Sequence, residues 1–120
     1  MHDVQDAVVP TFENVLEAVS RVSAHIHRTP VLTSSFINNI VEAELLFECE
    51  NFQKAGAFRV RGASNAVFSL DADRLSRGVA THSRGNHALS LFYAAARRGI
   101  PCTTVMGVRS CCWDSAPAHS

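Results

Sequence analysis

A chain of 120 residues, 47% hydrophobic and 18% charged, has the length and apolar share of one globular domain rather than of a disordered tail. Eleven acidic side chains balance eleven basic ones, so no basic excess exists to displace counterions, and nucleic acid is not an expected partner. No apolar run approaches the roughly 18 residues of a membrane span, and the first residues lack the blocks of a signal peptide; the expectation is no membrane partner and a cytoplasmic setting.

The first predicted element is a helix: Phe12, Val15, Leu16, Val19, Val22 and Ile26 recur at the spacing of one helical face, with Thr11 placed to cap it. Pro30 makes the following "HRTPVLTSS" extended. "AELLFECEN" predicts a short strand around residues 45–49. Ala63, Ala66, Val67 and Leu70 then share a face of a second helix, which the polar "DADRLSRG" ends. "VATHS" is the next strand. "RGNHALSLFYAAARRG" is a third helix, with Ala88, Leu91, Phe92 and Ala95 on one face, Arg97 and Arg98 in the last turn and Gly99 as its stop. "IPCTTVM" returns as a strand. Helix and strand alternate at the spacing of αβαβ units, predicting an α/β fold with a parallel sheet flanked by helices.

Past Met106 the pattern changes. "GVRSCCWDSAPAHS" keeps neither period, where a doubly wound fold would continue into a helix. The chain therefore divides into residues 1–106 and an irregular tail, 107–120, of the kind a reading-frame change near Met106 would produce. Cys49, Cys102, Cys111 and Cys112 fit no disulfide framework and no CxxC pair. Cys111, Cys112 and His119 raise a zinc site, but adjacent cysteines are poor ligand geometry and no metal is expected.

Two stretches carry candidate chemistry. "AGAFRVRGASNAV", residues 55–67, sets Arg59 and Arg61 at the mouth of a helix, where the backbone already presents a positive partial charge. A cation there is unfavourable unless an anionic or carbonyl group binds alongside it. "THSRGNHALS", residues 81–90, joins a strand to a helix through a Ser-x-Gly turn and an Asn-His pair. The backbone N–H groups of such a turn face a crevice at the carboxyl end of the strand, suited to a carboxylate or phosphate, and Asn86 can both donate and accept. His87 taken alone reads as a capping or packed histidine.

"HRTPVLTSS", "FECENFQKAGAFRVRGASNAV" and "THSRGNHALSLFYAAARRGIPCTTVM" stand in the order and at the separations found in fold-type II pyridoxal-phosphate enzymes. Residues 12–106 most closely resemble the serine/threonine dehydratase and serine racemase family. The resemblance implies the amino-terminal part of a tryptophan synthase β-like fold, truncated here, with pyridoxal 5'-phosphate as cofactor and a small amino acid as substrate. In that family the first motif ends Ser-Phe-Lys-x-Arg-Gly-Ala, and its lysine forms the Schiff base with the cofactor. Arg59 stands at that position, while Arg61 and Gly62 match the family's arginine and glycine. The family's turn, Ser-Ser-Gly-Asn-His, aligns with Ser83, Arg84, Gly85, Asn86 and His87.

By this resemblance Phe58 and Asn86 contact the cofactor, and Ser83, Gly85, Asn86 and His87 bind the substrate. Arg84 stands where serine racemases place the acid/base serine of the second face. The family's phosphate-holding loop and the residue facing the pyridine nitrogen fall beyond position 120. A guanidinium stays protonated, with a pKa above roughly 12, so Arg59 cannot supply a neutral amine. The sole lysine, Lys54, lies on another part of the approach loop. The expectation is a degenerate relative without activity, whose intact counterparts convert L-serine or L-threonine to 2-oxo acid and ammonia, or racemise serine. Dehydration is the expected ancestral reaction, because Arg84 replaces the second-face serine. The alternative is a non-catalytic module in which the turn at 83–87, with Arg59 and Arg84, clamps a small carboxylate or phosphate. Strands left uncovered in a partial fold predict self-association through an exposed core.

Overall fold

The computed structural model describes residues 9–106. α1 (Phe12–Val22) starts where the sequence places it. The Thr11 hydroxyl accepts the Asn14 N–H at 3.4 Å and Asn14 Oδ1 accepts the Thr11 N–H at 2.9 Å, a reciprocal box that satisfies two amides with no partner inside the helix. After Pro30 the chain is extended in β1 (Val31–Leu32), which pairs with β2 (Phe47–Glu48).

That pairing is antiparallel, with Val31 opposite Glu48 and Leu32 opposite Phe47. The expected parallel order therefore does not extend to the first two strands. Between them lies α2 (Ser35–Val41), capped by the Ser34 hydroxyl, after which the chain turns back at Glu42 in the left-handed region (φ 54°) instead of crossing a sheet face. The sequence reading leaves this helix out because "SFINNIV" combines isoleucines, a valine and asparagines of weak helix propensity over barely two turns.

Two 3₁₀ turns, Glu50–Phe52 and Lys54–Gly56, lead into α3 (Arg59–Phe68). α3 stops before Leu70, and the polar segment after it holds one further helical turn, α4 (Ala72–Leu75), capped by Asp71. The parallel unit expected downstream is present: β3 (Val79–His82), α5 (Asn86–Arg98) and β4 (Cys102–Val105), with Val79 opposite Cys102 and His82 opposite Val105. Gly99 ends α5 at φ 72°, as a glycine in a helix stop position does.

The core sits between α3 and α5. Ala63 and Val67 meet Leu91 and Ala94, Val79, Ile100 and Cys102 pack against this cluster, and Val60 of α3 and Ala88 and Ala95 of α5 are buried as well. Phe92, expected on the inner face, is instead partly exposed, and Ala94 takes the buried place. The small side chains let the two helices approach, and a phenylalanine on that line would hold them apart. The α1 face is different: Val22 alone of its stripe is buried, while Phe12, Val15, Leu16 and Val19 are each half exposed or more. Among the described residues no helix is long and apolar enough to cross a membrane.

Candidate functional site

Of the two charges at the mouth of α3, that of Arg61 is met from within the chain. Arg61 donates through Nε to Glu50 Oε2 at 2.9 Å and through Nη2 to Glu50 Oε1 at 2.6 Å, a two-pronged pair, and its Nη2 also lies 3.4 Å from Glu48 Oε1. The Thr29 hydroxyl donates to Glu50 Oε1 at 2.6 Å and accepts from Arg61 Nη2 at 3.3 Å. The Arg61 hydrogen bonds hold the Glu50 carboxyl down to about 2, with burial opposing and Thr29 assisting, and Glu50 in turn raises Arg61. A second fastening stands beside it. Buried Gln53 accepts the His27 N–H at 2.7 Å and donates to the His27 carbonyl at 2.8 Å, so one side chain imitates a strand neighbour. Together they fix the segment that leads into α3.

Sequence reasoning missed Thr29, Glu48, Glu50 and Gln53. The available signal was two carboxylates, Glu48 and Glu50, just upstream of an arginine-bearing helix start.

Arg59 is the first residue of α3 and is exposed; its guanidinium lies over the Phe58 ring, 5.3 Å from the centroid. Among the described residues it forms no ion pair. Phe58 precedes the helix and is itself exposed. Lys54 is half-buried on the Lys54–Gly56 turn, which packs against α5, and its backbone N–H donates to Gln53 Oε1 at 3.0 Å.

The second stretch lies between β3 and α5. Gly85 caps α5 without any side-chain bond to the first turn, and the Gly85 N–H reaches Ser83 Oγ at 3.5 Å, the outer limit of a hydrogen bond. Arg84, Gly85, Asn86 and His87 are exposed, and a Cβ built on Gly85 would meet nothing within 4 Å. The space above the turn is open. The Asn86 carbonyl accepts the buried Ser90 hydroxyl at 2.6 Å, which ties the first turn of α5 to its interior side. Packing of α3 on α5 joins the two stretches; among the described residues no hydrogen bond or ion pair links Arg59, Arg84, Asn86 and His87 to one another.

No group of three His, Cys, Asp or Glu suited to a metal occurs among the described residues, where Cys49 and Cys102 are free thiols. Cys111, Cys112, His119 and the rest of the tail at 107–120 lie outside the described residues.

Comparison with known proteins bears on the same stretches. The chain is 57% identical over 98 residues to the beta-hydroxyaspartate dehydratase of Paracoccus denitrificans (strain Pd 1222), covering 82% of this chain and 31% of that protein. It is 51% identical over 96 residues to the serine racemase of Dictyostelium discoideum, covering 80% and 30% respectively. Among solved structures, maize serine racemase superposes with a TM-score of 0.76 at 50% identity, over 78% of this chain and 30% of that one. The chain thus spans under a third of the length of these relatives. The family model for pyridoxal-phosphate dependent enzymes matches residues 22–111, which takes in the Arg61–Glu50 pair, both candidate stretches and the β3–α5–β4 unit. With three quarters of its length matched, and a fold superposing on fold-type II members, the chain belongs to the pyridoxal-phosphate dependent enzyme family.

Proposed function

We propose that this chain is a member of the family that keeps the scaffold of the cofactor site and has lost its covalent anchor, a catalytically silent relative of hydroxy-amino-acid dehydratases and serine racemases. The observation that carries the reading is Arg59 at the head of α3, two residues before the Glu50-bound Arg61 that sets the register. The family's cofactor is an aldehyde that attaches to a neutral amine, and a guanidinium stays protonated at any pH a folded protein tolerates. Position 59 therefore does not fit covalent attachment. Lys54 is no substitute, because its turn is pinned by Gln53 and packed on α5.

In this reading Phe58 and Asn86 line the cofactor space. Ser83, Gly85, Asn86 and His87 form the cradle for an amino-acid carboxylate, with the uncapped first turn of α5 as donor. Arg84 fills the place of the second-face acid/base serine. The reaction class silenced here is conversion of serine, threonine or a related β-hydroxy amino acid to 2-oxo acid and ammonia, or racemisation of serine. A cytoplasmic setting goes with it, in keeping with cysteines whose spacing in the sequence matches no disulfide framework. A second reading, a non-catalytic clamp for a small carboxylate or phosphate, is favoured by one observation: Arg59 and Arg84 are both exposed and neither forms an ion pair among the described residues.

The test is borohydride reduction of the full chain with equimolar pyridoxal phosphate, followed by peptide mass mapping. The expected result is no pyridoxyl adduct, and a new adduct at residue 59 in Arg59→Lys. A stoichiometric adduct on Lys54 in the unaltered chain overturns the proposal. The clamp reading instead expects titratable binding of inorganic phosphate that Arg84→Ser abolishes.

A further inference from the structure

We infer that the groove between α1 and the head of α3 is a binding site for a free aliphatic monocarboxylate, with the carboxylate on donors of α3 and the alkyl chain along the apolar stripe of α1. The inference goes beyond the proposed function and is independent of the proposed loss of the amine.

The groove has a volume of about 590 Å³, within the roughly 300–1,000 Å³ of small-molecule sites. Val15, Val19 and Ile26 stand on one wall and Arg61 and Asn65 on the other. Arg61 and Asn65 are one helical turn apart and share a face of α3. Gly62 leaves the floor beside them open, since a Cβ added there would meet nothing within 4 Å. Both side chains have donors to spare. Arg61 spends Nε and Nη2 on Glu50, Glu48 and Thr29, and its Nη1 has no hydrogen-bond partner among the described residues. Asn65 Oδ1 accepts from Arg21 Nη1, which fixes the orientation of the amide and leaves Asn65 Nδ2 likewise without a partner among the described residues.

The occupant follows from the charges and from the apolar wall. Arg28 and Arg61 line the groove and Arg21 reaches it through Asn65, against the carboxylates of Glu48 and Glu50, so one positive charge is in excess. Arg28 forms no ion pair among the described residues. A single carboxylate closes that balance, and its two acceptor oxygens suit N–H donors from a guanidinium and an amide. Val15, Ala18, Val19 and Val22, the residues of α1 that line the groove, carry no donor, so a second anionic group laid there would lose its water without gaining a partner. They offer an aliphatic stripe instead, with Val15 50% and Val19 55% exposed. An alkyl chain covers that stripe, each methylene adding roughly twofold to fourfold in affinity. Val15 to Val22 rises about 10 Å along the helix, the reach of an extended octanoate.

The experiment is an amide-resolved NMR titration of the full 120-residue chain with octanoate, butyrate and 1-octanol. Octanoate is expected to bind saturably with a Kd of about 1 mM or tighter, shifting the amides of residues 15–26 and 61–65. Butyrate should bind at least roughly tenfold more weakly because its chain is shorter, and 1-octanol at least roughly tenfold more weakly because it lacks the carboxylate. Gly62→Leu fills the open floor and should lower octanoate affinity at least roughly tenfold with no fall in melting temperature, since a side chain there meets nothing and replaces a helical glycine. Asn65→Asp keeps the acceptor for Arg21 and turns the donor into a repelling oxygen, with a similar loss expected. Arg77→Glu, on an exposed polar turn, should change nothing. The absence of saturable binding, equal binding of octanoate and 1-octanol, indifference to both groove variants, or a dimer of the chain that excludes octanoate overturns the inference. Binding at the groove alone is read, so an adduct on Lys54 in a chain that takes up octanoate refutes the proposed function and leaves this inference standing.

Discussion

At the scale of single residues, the two arginines of one motif have opposite fates. Arg61 is tied to Glu50 and Glu48 within the chain, while Arg59, two positions earlier, faces solvent over Phe58. Glu50 carries a pH signature. Its carboxyl is held at about 2 against an ordinary 4.5, so the stability it contributes is complete above about 4.5 and is lost as pH falls toward 2. Glu50→Gln should flatten the fall in melting temperature across that window, leaving the smaller slope from Glu13, whose carboxyl is held low by its own backbone N–H and the Thr11 hydroxyl. The Arg61 side chain is 37% exposed, and solvent screening limits the cost at neutral pH to on the order of 1 kcal/mol. Thermal melts from pH 2 to 6 check this, and an unchanged slope would refute it. The need for an anion beside Arg61 was legible in the sequence and its identity was not, while the anion expected beside Arg59 is not present among the described residues. Thr29 and Glu50 lie 32 and 11 positions from Arg61, and periodicity says nothing about pairs that only the tertiary fold brings together.

At the scale of elements, the long helices and the strands β2, β3 and β4 were legible, and the short helices and the pairing of the first two strands were not. α1, α3 and α5 follow from helical stripes, a Thr cap and a Gly stop, and β2, β3 and β4 fall within the short apolar segments read between them. α2 and α4 do not, because seven and four residues are too few for a stripe to stand out from composition. The antiparallel β1–β2 ladder is two residues long on each side and has no alternation to read. Two expectations follow at this scale. Gly78 enters β3 at φ 71°, and a Cβ there would sit 2.4 Å from the Pro101 carbonyl oxygen, on backbone that the Val79 N–H bond to that same oxygen holds in place. Gly78→Ala should therefore destabilise the β3–α5–β4 unit by about 2 kcal/mol or more; a denaturant midpoint within error of the unaltered chain would contradict this. The open stripe of α1 implies that its amides exchange at least roughly tenfold faster than those of α5. Equal protection of the two helices in hydrogen exchange would show that α1 is covered in solution.

At the scale of the whole molecule, one half of the described fold is closed and the other open. The α3–α5 core is built largely from small residues, and the face carried by α1 and the ladder is exposed. The sequence promised an apolar face on α1, and the resemblance to part of a longer fold predicted that apolar surface would stay uncovered; that this surface includes the α1 stripe was not legible, since burial depends on what is packed against it. Family membership was legible from three motifs in register, and so was the arginine at position 59, whose consequence is chemical. In the proposed function the scaffold is sound and the amine missing at position 59 silences it. Fusing residues 1–106 to the remainder of Dictyostelium discoideum serine racemase, with and without Arg59→Lys and Arg84→Ser, tests this through 2-oxo acid released from serine and threonine. No turnover is expected for the unaltered fusion or for Arg84→Ser alone, weak turnover for Arg59→Lys, and the most for the pair; turnover by a fusion that keeps Arg59 would contradict the proposed loss of the amine.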